Sequence, residues 1–295
     1  RTMLGEIDTM ADDVRDRDRR MTARDRLHEL ARTWRVIPGE PFETESSVVA
    51  YGLRGEEPVV LKVVKAPGDE WRSGEVASAF AGRGMVRVLE WVEGAVLLER
   101  IVPGGALVEL SRRSRDDDVT EIIANLIGEM SPGTAPAWCP NARDWGRAFT
   151  RYVDLGDTRI PPEMVARARA TYAELCQTEG PARLLHGDLQ HYNILEDRER
   201  GWVAIDPKGV VGEVEFEVGA ALRNPVECPD VFTRPAVIER RVAVFAARLG
   251  LDATRVLRWA FAQGVLSAIW GVEDGYVVDA DNPALTLARV INAMF

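Results

Sequence analysis

The spacing of hydrophobic positions changes character partway along the chain. From Leu27 to Val36, the run LHELARTWRV repeats its apolar residues at helical intervals, which predicts a short amphipathic helix leading into a first strand. Four apolar runs of strand length follow: SSVVAYGL, PVVLKVVK, MVRVLEWV and AVLLERIV. They are separated by the turn-like RGEE, by a helical stretch from Glu70 to Ala81, and by EGA. Beyond Pro103-Gly104 the pattern lengthens into helices, VTEIIANLIGEM, WGRAFTRYVDL, PEMVARARATYAELC and RVLRWAFAQGVLSAIW. The segment from Arg183 to Pro207 interrupts them, because RLLHGD, YNIL and WVAID are short apolar runs around a charged EDRERG turn and predict a hairpin. Near the start, DDVRDRDRRMTARDR alternates charges without an apolar period, which predicts a solvated helix or arm. The expected organisation is a charged arm over residues 1–26, a strand-rich lobe over 27–102 and a mostly helical lobe over 103–295.

Composition narrows the class. With 46% hydrophobic and 28% charged residues in 295, the chain reads as an ordinary globular protein. No apolar run approaches the about 20 residues that cross a bilayer. The three cysteines, Cys139, Cys176 and Cys228, are far apart and odd in number, so neither a disulfide framework nor a zinc knuckle is expected. A cytoplasmic protein, monomeric or homodimeric and with no membrane partner, is the expectation. A net charge of -10 argues against nucleic-acid binding, which needs a basic surface, and suits cationic partners better.

The chemistry concentrates in HGDLQHYNIL and the following WVAIDPKG. Phosphoryl transfer needs a carboxylate to orient the attacking hydroxyl and accept its proton, and oxygen ligands for a magnesium that bridges phosphates. Asp188 is the candidate base, and Asn193 and Asp206 are the candidate metal ligands. Taken singly, each has a plainer role: His-Gly-Asp as a turn, Asn193 as a strand cap, Asp206 as the opening of a turn before Pro207. The combination, at the edges of apolar strands, has the spacing of protein-kinase-like folds. His186 is expected to brace the loop. A second signal is Lys62, an ammonium set among Val59, Val60, Leu61, Val63 and Val64, which is costly unless something anionic neutralises it. The phosphates of ATP would do so, with Glu75 as the first candidate for a positioning carboxylate and Glu70 as the second. An outward residue on an edge strand is the plainer alternative for Lys62. Glu99 to Ile101 is the candidate hinge offering backbone groups to adenine. Ser46 and Ser47, ahead of Lys62 where a phosphate-covering loop is expected, are candidate phosphate donors in a stretch that lacks a glycine run.

These residues resemble the aminoglycoside phosphotransferases, and within them the streptomycin kinase and hydroxyurea kinase branch. The resemblance runs from about Leu27 to the C-terminus and rests on LLHGDLQHYNIL, WVAIDPKGVVGEVEFEVGAALRNP and GVLSAIWGVEDG. It implies an α+β, protein-kinase-like fold of two lobes, a small antiparallel-sheet lobe and a mostly helical one, with ATP in the cleft. It also implies Asp188 as base, Asn193 and Asp206 as magnesium ligands, and Lys62 paired with Glu75 on the nucleotide phosphates. Asp206-Pro207-Lys208 stands where protein kinases carry Asp-Phe-Gly. The loop SSVVAYG departs from a glycine-rich pattern.

Between Arg258 and Arg289 there is no lysine or arginine, while Glu273, Asp274, Asp279 and Asp281 lie there. The stretch after Asp206 adds Glu213, Glu215, Glu217, Glu227 and Asp230. An anionic surface of this kind draws guanidinium or ammonium groups, and Trp270 is placed to stack on a cation or a sugar face. Glu227, Asp230, Trp270, Glu273 and Asp274 are therefore the candidate substrate residues, with a solvated acidic face and a core tryptophan as the plainer alternatives. The expected activity is transfer of the γ-phosphoryl group of ATP to a hydroxyl of an aminoglycoside, like that of a streptomycin 6-kinase and conferring resistance. The alternatives are a kinase of hydroxyurea, of an amino alcohol or of a sugar, and a catalytically silent nucleotide-binding protein.

Overall fold

In the computed structural model, which describes residues 21–130 and 132–295, the alternating runs of the first part of the chain pair into one antiparallel sheet. The charged arm expected over residues 1–26 lies, as far as residue 20, outside the described residues. Helix α1 (Ala23–Thr33) begins four residues before the apolar period suggested, because Thr22 caps it: Oγ1 accepts from the Asp25 amide at 3.1 Å. The strands are β1 (Ile37–Pro38), β2 (Phe42–Glu43), β3 (Ser47–Arg54), β4 (Glu57–Val64), β5 (Val88–Val92) and β6 (Ala95–Glu99), in the order β1-β3-β4-β6-β5 with β2 on β3. Gly55, with φ +64, supplies the left-handed position that the tight β3–β4 turn requires.

Period-two alternation gives this sheet two unlike faces. Val48, Ala50, Val59, Leu61, Val63, Ala95 and Leu97 point to one side and are buried against Leu27, Ala31 and Trp34 of α1 and its C-cap. The opposite face carries the residues paired directly across the strands: Val49 with Lys62 and Val96, and Tyr51 with Val60 and Leu98. Lys62 is thus on a central strand, not an edge, and its neighbours in sequence face away from it.

The helix expected from Glu70 is shorter, α2 (Ser73–Ala79). A turn precedes it, in which the Trp71 amide donates to Gly68 and the Ser73 amide to Glu70. The chain divides into two compact units, one made of residues up to Glu75 together with Arg87–Arg100, the other of Val76–Val86 and Ile101–Phe295.

The second unit is mainly helical: α3 (Val108–Arg112), α4 (Asp116–Glu129), α5 (Ala142–Trp145), α6 (Arg147–Asp154), α7 (Pro162–Gln177), α8 (Val214–Leu222), α9 (Pro229–Phe232), α10 (Pro235–Leu249), α11 (Ala253–Glu273) and α12 (Pro283–Asn292). The long α11 is its axis. It packs on α7, α8 and α12, and Trp259, fully buried, meets Tyr172 of α7 and Phe216 of α8 edge to face, each at 5.0 Å. The strand pattern does not stop at Pro103. Pro103–Ala106 forms β7, which pairs with β9 (Ile194–Asp197), and β9 pairs with β10 (Gly201–Ala204) in the hairpin that the EDRERG turn predicts. Asp197 closes that turn by accepting from the amides of Glu199 and Arg200 at 3.0 and 2.9 Å. A separate pair joins β8 (Arg183–Leu185) to β11 (Val210–Gly212). Among the described residues no helix is long and apolar enough to cross a membrane.

Candidate active site

The loop from His186 to Asn193 is held at both ends by strand pairs. Leu185, its last residue before the loop, is paired with Val210, and Ile194, the first after it, with Ala204. Registers of this kind bring distant residues together: the Ile205 amide donates to the Asn193 carbonyl at 2.9 Å, so Asp206 follows directly beside the end of the loop. Asp206 is in the left-handed region at φ +55, which is uncommon for a side-chain-bearing residue. The turn behind it is tied down, since the amides of Lys208 and Gly209 donate to the His186 carbonyl at 2.9 and 3.0 Å. Gly187, at φ +82, packs against the Trp145 ring, which a Cβ there would approach to 3.0 Å.

His186 does the bracing work expected of it. It is fully buried; Nδ1 accepts the Asp188 amide at 3.2 Å and Nε2 lies 2.8 Å from the Ile205 carbonyl. An amide only donates and a carbonyl only accepts, so the proton is on Nε2 and the ring is neutral. Burial, which lowers its pKa from the ordinary value, agrees. The Glu217 carboxylate of α8 accepts the amides of His186 at 2.6 Å and Gly187 at 3.0 Å. Burial pushes Glu217 up to about 7 against the pull of those amides.

Asp188 and Asn193 are in contact. Asn193 Nδ2 donates to the Asp188 carbonyl at 2.9 Å and to its carboxylate Oδ2 at 3.3 Å, and Asn193 Oδ1 takes no donor among the described residues. Oδ1 and the Asp206 carboxylate are oxygen donors of the kind that magnesium takes, few from the protein and the rest from phosphates and water. No group of three or more His, Cys, Asp or Glu that could hold a metal ion by itself occurs among the described residues. The site residues fit such an ion. Sequence reasoning missed Arg223, whose guanidinium Nη2 is 3.9 Å from Asp188 Oδ1.

In the sheet-bearing unit, Lys62 is 8% exposed and its Nζ is 2.9 Å from Oε2 of Glu70, the second of the two carboxylates considered. Glu75 is in the first turn of α2. The same Glu70 accepts the Ser46 hydroxyl at 3.0 Å through Oε1, and the Lys65 amide donates to the Ser46 carbonyl at 2.8 Å. Ser47 is fully buried and closes a turn: its amide donates to Thr44 Oγ1 at 3.0 Å, and its carbonyl accepts the Thr44 amide. The serines therefore sit at the β2–β3 turn and are linked to Lys62 through Glu70. A glycine run is unnecessary there because the turn is closed by side chains.

At the candidate hinge, the Glu99 amide donates to the Arg87 carbonyl at 3.1 Å and its carboxylate takes Arg87 at 2.7 Å through both backbone and Nε, so Glu99 N–H is not available to a base. The Ile101 amide has no backbone acceptor among the described residues. The apolar ledge beside Lys62, formed by Val49, Tyr51, Val60, Val96 and Leu98, was legible only once the register was known.

The candidate substrate residues differ in their surroundings. Trp270 is half-buried and meets Trp145 edge to face at 5.4 Å, which ties it to the ring that covers Gly187. Glu273 is paired with Arg151 at 2.9 Å and Glu227 with Arg112 at 2.9 Å, both at the surface. Asp230 lies exposed in the first turn of α9, and Asp274, also exposed, caps α11. Glu213 and Glu217 belong to the interior: Glu213 accepts from Arg255 at 2.5 Å and the Gly180 amide at 2.8 Å, and it also accepts from Trp259 Nε1. Glu215, between them and half-buried, has no ion-pair partner among the described residues.

The family described as aminoglycoside/hydroxyurea antibiotic resistance kinase matches residues 32–275. Streptomycin 3''-kinase of Klebsiella pneumoniae is 32% identical over 250 residues, covering 82% of this chain and 91% of that one. Hydroxyurea phosphotransferase of Kitasatospora aureofaciens is 31% identical over 270 residues, covering 82% and 76%. Streptomycin 6-kinase of Streptomyces griseus is 30% identical over 243 residues, covering 78% and 76%. Among solved structures, the aminoglycoside phosphotransferase APH(4)-Ia superposes with a TM-score of 0.63 at 18% identity, over 90% of this chain and 97% of that one. A thermostable variant of it, at a TM-score of 0.61 and 19% identity, covering 88% and 93%, was solved as a ternary complex with AMP-PNP and hygromycin B. Choline kinase LicA from Streptococcus pneumoniae, at 0.59 and 13%, covers 91% and 97%. These likenesses establish the protein-kinase-like α+β fold. With a family match over most of its length, the chain belongs to the aminoglycoside/hydroxyurea antibiotic resistance kinases and is a small-molecule kinase.

Proposed function

We propose that the protein transfers the γ-phosphoryl group of ATP to a hydroxyl of streptomycin or a close relative of it. The observation that carries the reading is the pinned loop that places the Asp188 carboxylate beside Asn193 and next to the Asp206 turn. Asp188 orients the acceptor hydroxyl and receives its proton as the new bond to phosphorus forms. Asn193 Oδ1 and the Asp206 carboxylate hold magnesium. When bound, that ion would supply positive charge that offsets the charge of the nucleotide phosphates. Lys62, oriented by Glu70, binds the phosphates, with Ser46 and Ser47 at the neighbouring turn, and the apolar ledge around Val60 and Leu98 takes the base. The Ile101 amide is the hinge donor. Transfer is direct, and no covalent enzyme intermediate is needed.

Streptomycin is supported by the relatives named above, two of which are streptomycin kinases. Their names divide between the 3'' and 6 positions, so the modified hydroxyl is to be read from the product. Streptomycin carries guanidinium groups, which suit half-buried Glu215 and exposed Asp230 and Asp274, and the Trp145–Trp270 pair offers an aromatic wall beside the loop. Glu227 and Glu273 contribute less, because exposed pairing with arginine already balances them. Hydroxyurea is the second reading, favoured by the hydroxyurea phosphotransferase relative.

The test is magnesium-dependent ATP consumption by the purified chain against streptomycin, hygromycin B, hydroxyurea, choline and simple sugars, with the phosphorylated product mapped by NMR. Saturable turnover on streptomycin is the expected result. Turnover on choline or a sugar with none on either antibiotic or on hydroxyurea overturns the substrate, and silence across the panel overturns the catalytic reading.

A further inference from the structure

Arg223 caps the C-terminus of α8, and its side chain is 12% exposed. Nη2 stands 3.9 Å from Asp188 Oδ1, and Nη1 donates to Gln263 Oε1 at 3.1 Å. Gln263, buried on α11, donates in turn from Nε2 to the Phe216 carbonyl at 2.7 Å. That bond fixes which way the amide points: the carbonyl of Phe216 needs a donor and Arg223 needs an acceptor. Space for Gln263 comes from the helix it crosses. A Cβ on Gly219 would stand 2.2 Å from Gln263 Oε1 and 2.6 Å from its Cδ, so any larger residue there displaces the amide.

A buried guanidinium is costly unless anions compensate it, and a neutral glutamine does not supply the charge. The anions that face Arg223 are Asp188 and Glu217. Glu217 already has both oxygens on the amides of the loop. Asp188 has Oδ2 on Asn193, which leaves Oδ1 toward Arg223. The carboxylate thereby takes the loop's donor at Oδ2 and faces, at ion-pair distance from Oδ1, the guanidinium that α8 and α11 hold. We infer that Gly219, Gln263 and Arg223 form a strut that sets the orientation of the Asp188 carboxylate, with Arg223 a positioning residue acting through Asp188. Small errors in the direction of a reacting group cost rate without costing binding. The inference rests on the reading of Asp188 as the acceptor of the hydroxyl proton.

Steady-state kinetics of the full chain carrying Arg223→Met, Arg223→Lys or Gln263→Met test it, with streptomycin and magnesium-ATP, and in parallel with the slow hydrolysis of ATP in which water replaces the acceptor. Supporting contacts of this kind change activity by about 10- to 100-fold. Arg223→Met is expected near the upper end in kcat, Gln263→Met near the lower, and Arg223→Lys between wild type and Arg223→Met, with KM for both substrates changed by no more than about threefold. An unchanged kcat in both methionine variants overturns the strut. A raised KM for ATP with kcat intact also overturns it, by making Arg223 a nucleotide contact. Loss of kcat only in proportion to a falling melting temperature overturns it as well, by making the role structural. If Arg223→Met does not fold, Gln263→Met, which keeps every charge, carries the test. Should the wild type leave streptomycin untouched, the substrate reading fails, while the same rank order in ATP hydrolysis still supports the strut and its absence sinks it.

Discussion

Asp188→Asn lowers kcat by about two to four orders of magnitude, the usual worth of a positioned general base, and leaves the affinity for AMP-PNP, measured by calorimetry, near that of the wild type. The substitution keeps the side-chain shape and an oxygen acceptor for Asn193. What it removes is the charge that accepts the proton of the hydroxyl. Asp206→Ala gives the contrasting result, because its carboxylate is assigned to magnesium: turnover is lost, and AMP-PNP loses the enhancement of affinity that magnesium brings. Two outcomes refute these assignments. Asp188→Asn with normal kcat and weakened AMP-PNP binding removes Asp188 from the role of base, and near-normal turnover by Asp206→Ala removes it from the metal. The pair thus separates proton transfer from phosphate binding, which a single inactive variant does not do.

What was legible in the sequence follows the range over which its causes act. Alternation is local, and it revealed the strands β3, β4 and β6 and the oddity of Lys62 among aliphatic neighbours. The loop motif is local too: Asp188 and Asn193 are five residues apart, and the hairpin that returns the chain to Asp206 is announced by its own turn residues. The partners that fix these groups are distant in sequence. Glu217 reaches the His186 amide across 31 positions, and Gln263 reaches Arg223 across 40. No periodicity or spacing marks such pairs, since they depend on how α8 and α11 pack. The same limit applied to charge. The acidic stretch after Asp206 read as a surface, yet Glu213 and Glu217 are interior acceptors whose donors come from α11, from the residues after α7 and from the loop itself. Glu75 stands first among the candidate carboxylates because it lies on the helix expected after the strand. The turn from Gly68 to Ser73 starts the helix later, and Glu70 within that turn meets both Lys62 and Ser46.

The second large effect concerns stability, and it originates behind the same loop. Arg241 of α10 has a side chain 3% exposed and clamps Asp116 of α4, donating to Oδ2 from Nε at 3.1 Å and to Oδ1 from Nη2. Its Nη1 also donates to the carbonyls of Ala221 and Asn224 at 3.3 and 3.0 Å, which joins α10 to the end of α8. Burial alone would raise the Asp116 pKa, but the guanidiniums of Arg241 and Arg240 outweigh it and hold the carboxyl below its usual value. A depressed carboxylate contributes stability above the ordinary range near pH 4, and that contribution disappears as the pH falls through the folded-state value. Asp116→Leu leaves Arg241 buried with two carbonyls and no anion, and an uncompensated buried charge costs about 3–5 kcal/mol. Arg241→Met costs less, because Arg240 still holds Asp116 at 2.9 Å. The double variant recovers part of the loss from Asp116→Leu. Urea unfolding midpoints at neutral pH check the order; equal losses in the two single variants would show that the pair is not the source. His191 of the loop is a neighbour of both charges and is buried, and burial followed by Arg241 lowers its pKa to about 3, which keeps it neutral. An Arg241 released from Asp116 therefore stays beside a neutral ring that supplies no counter-charge.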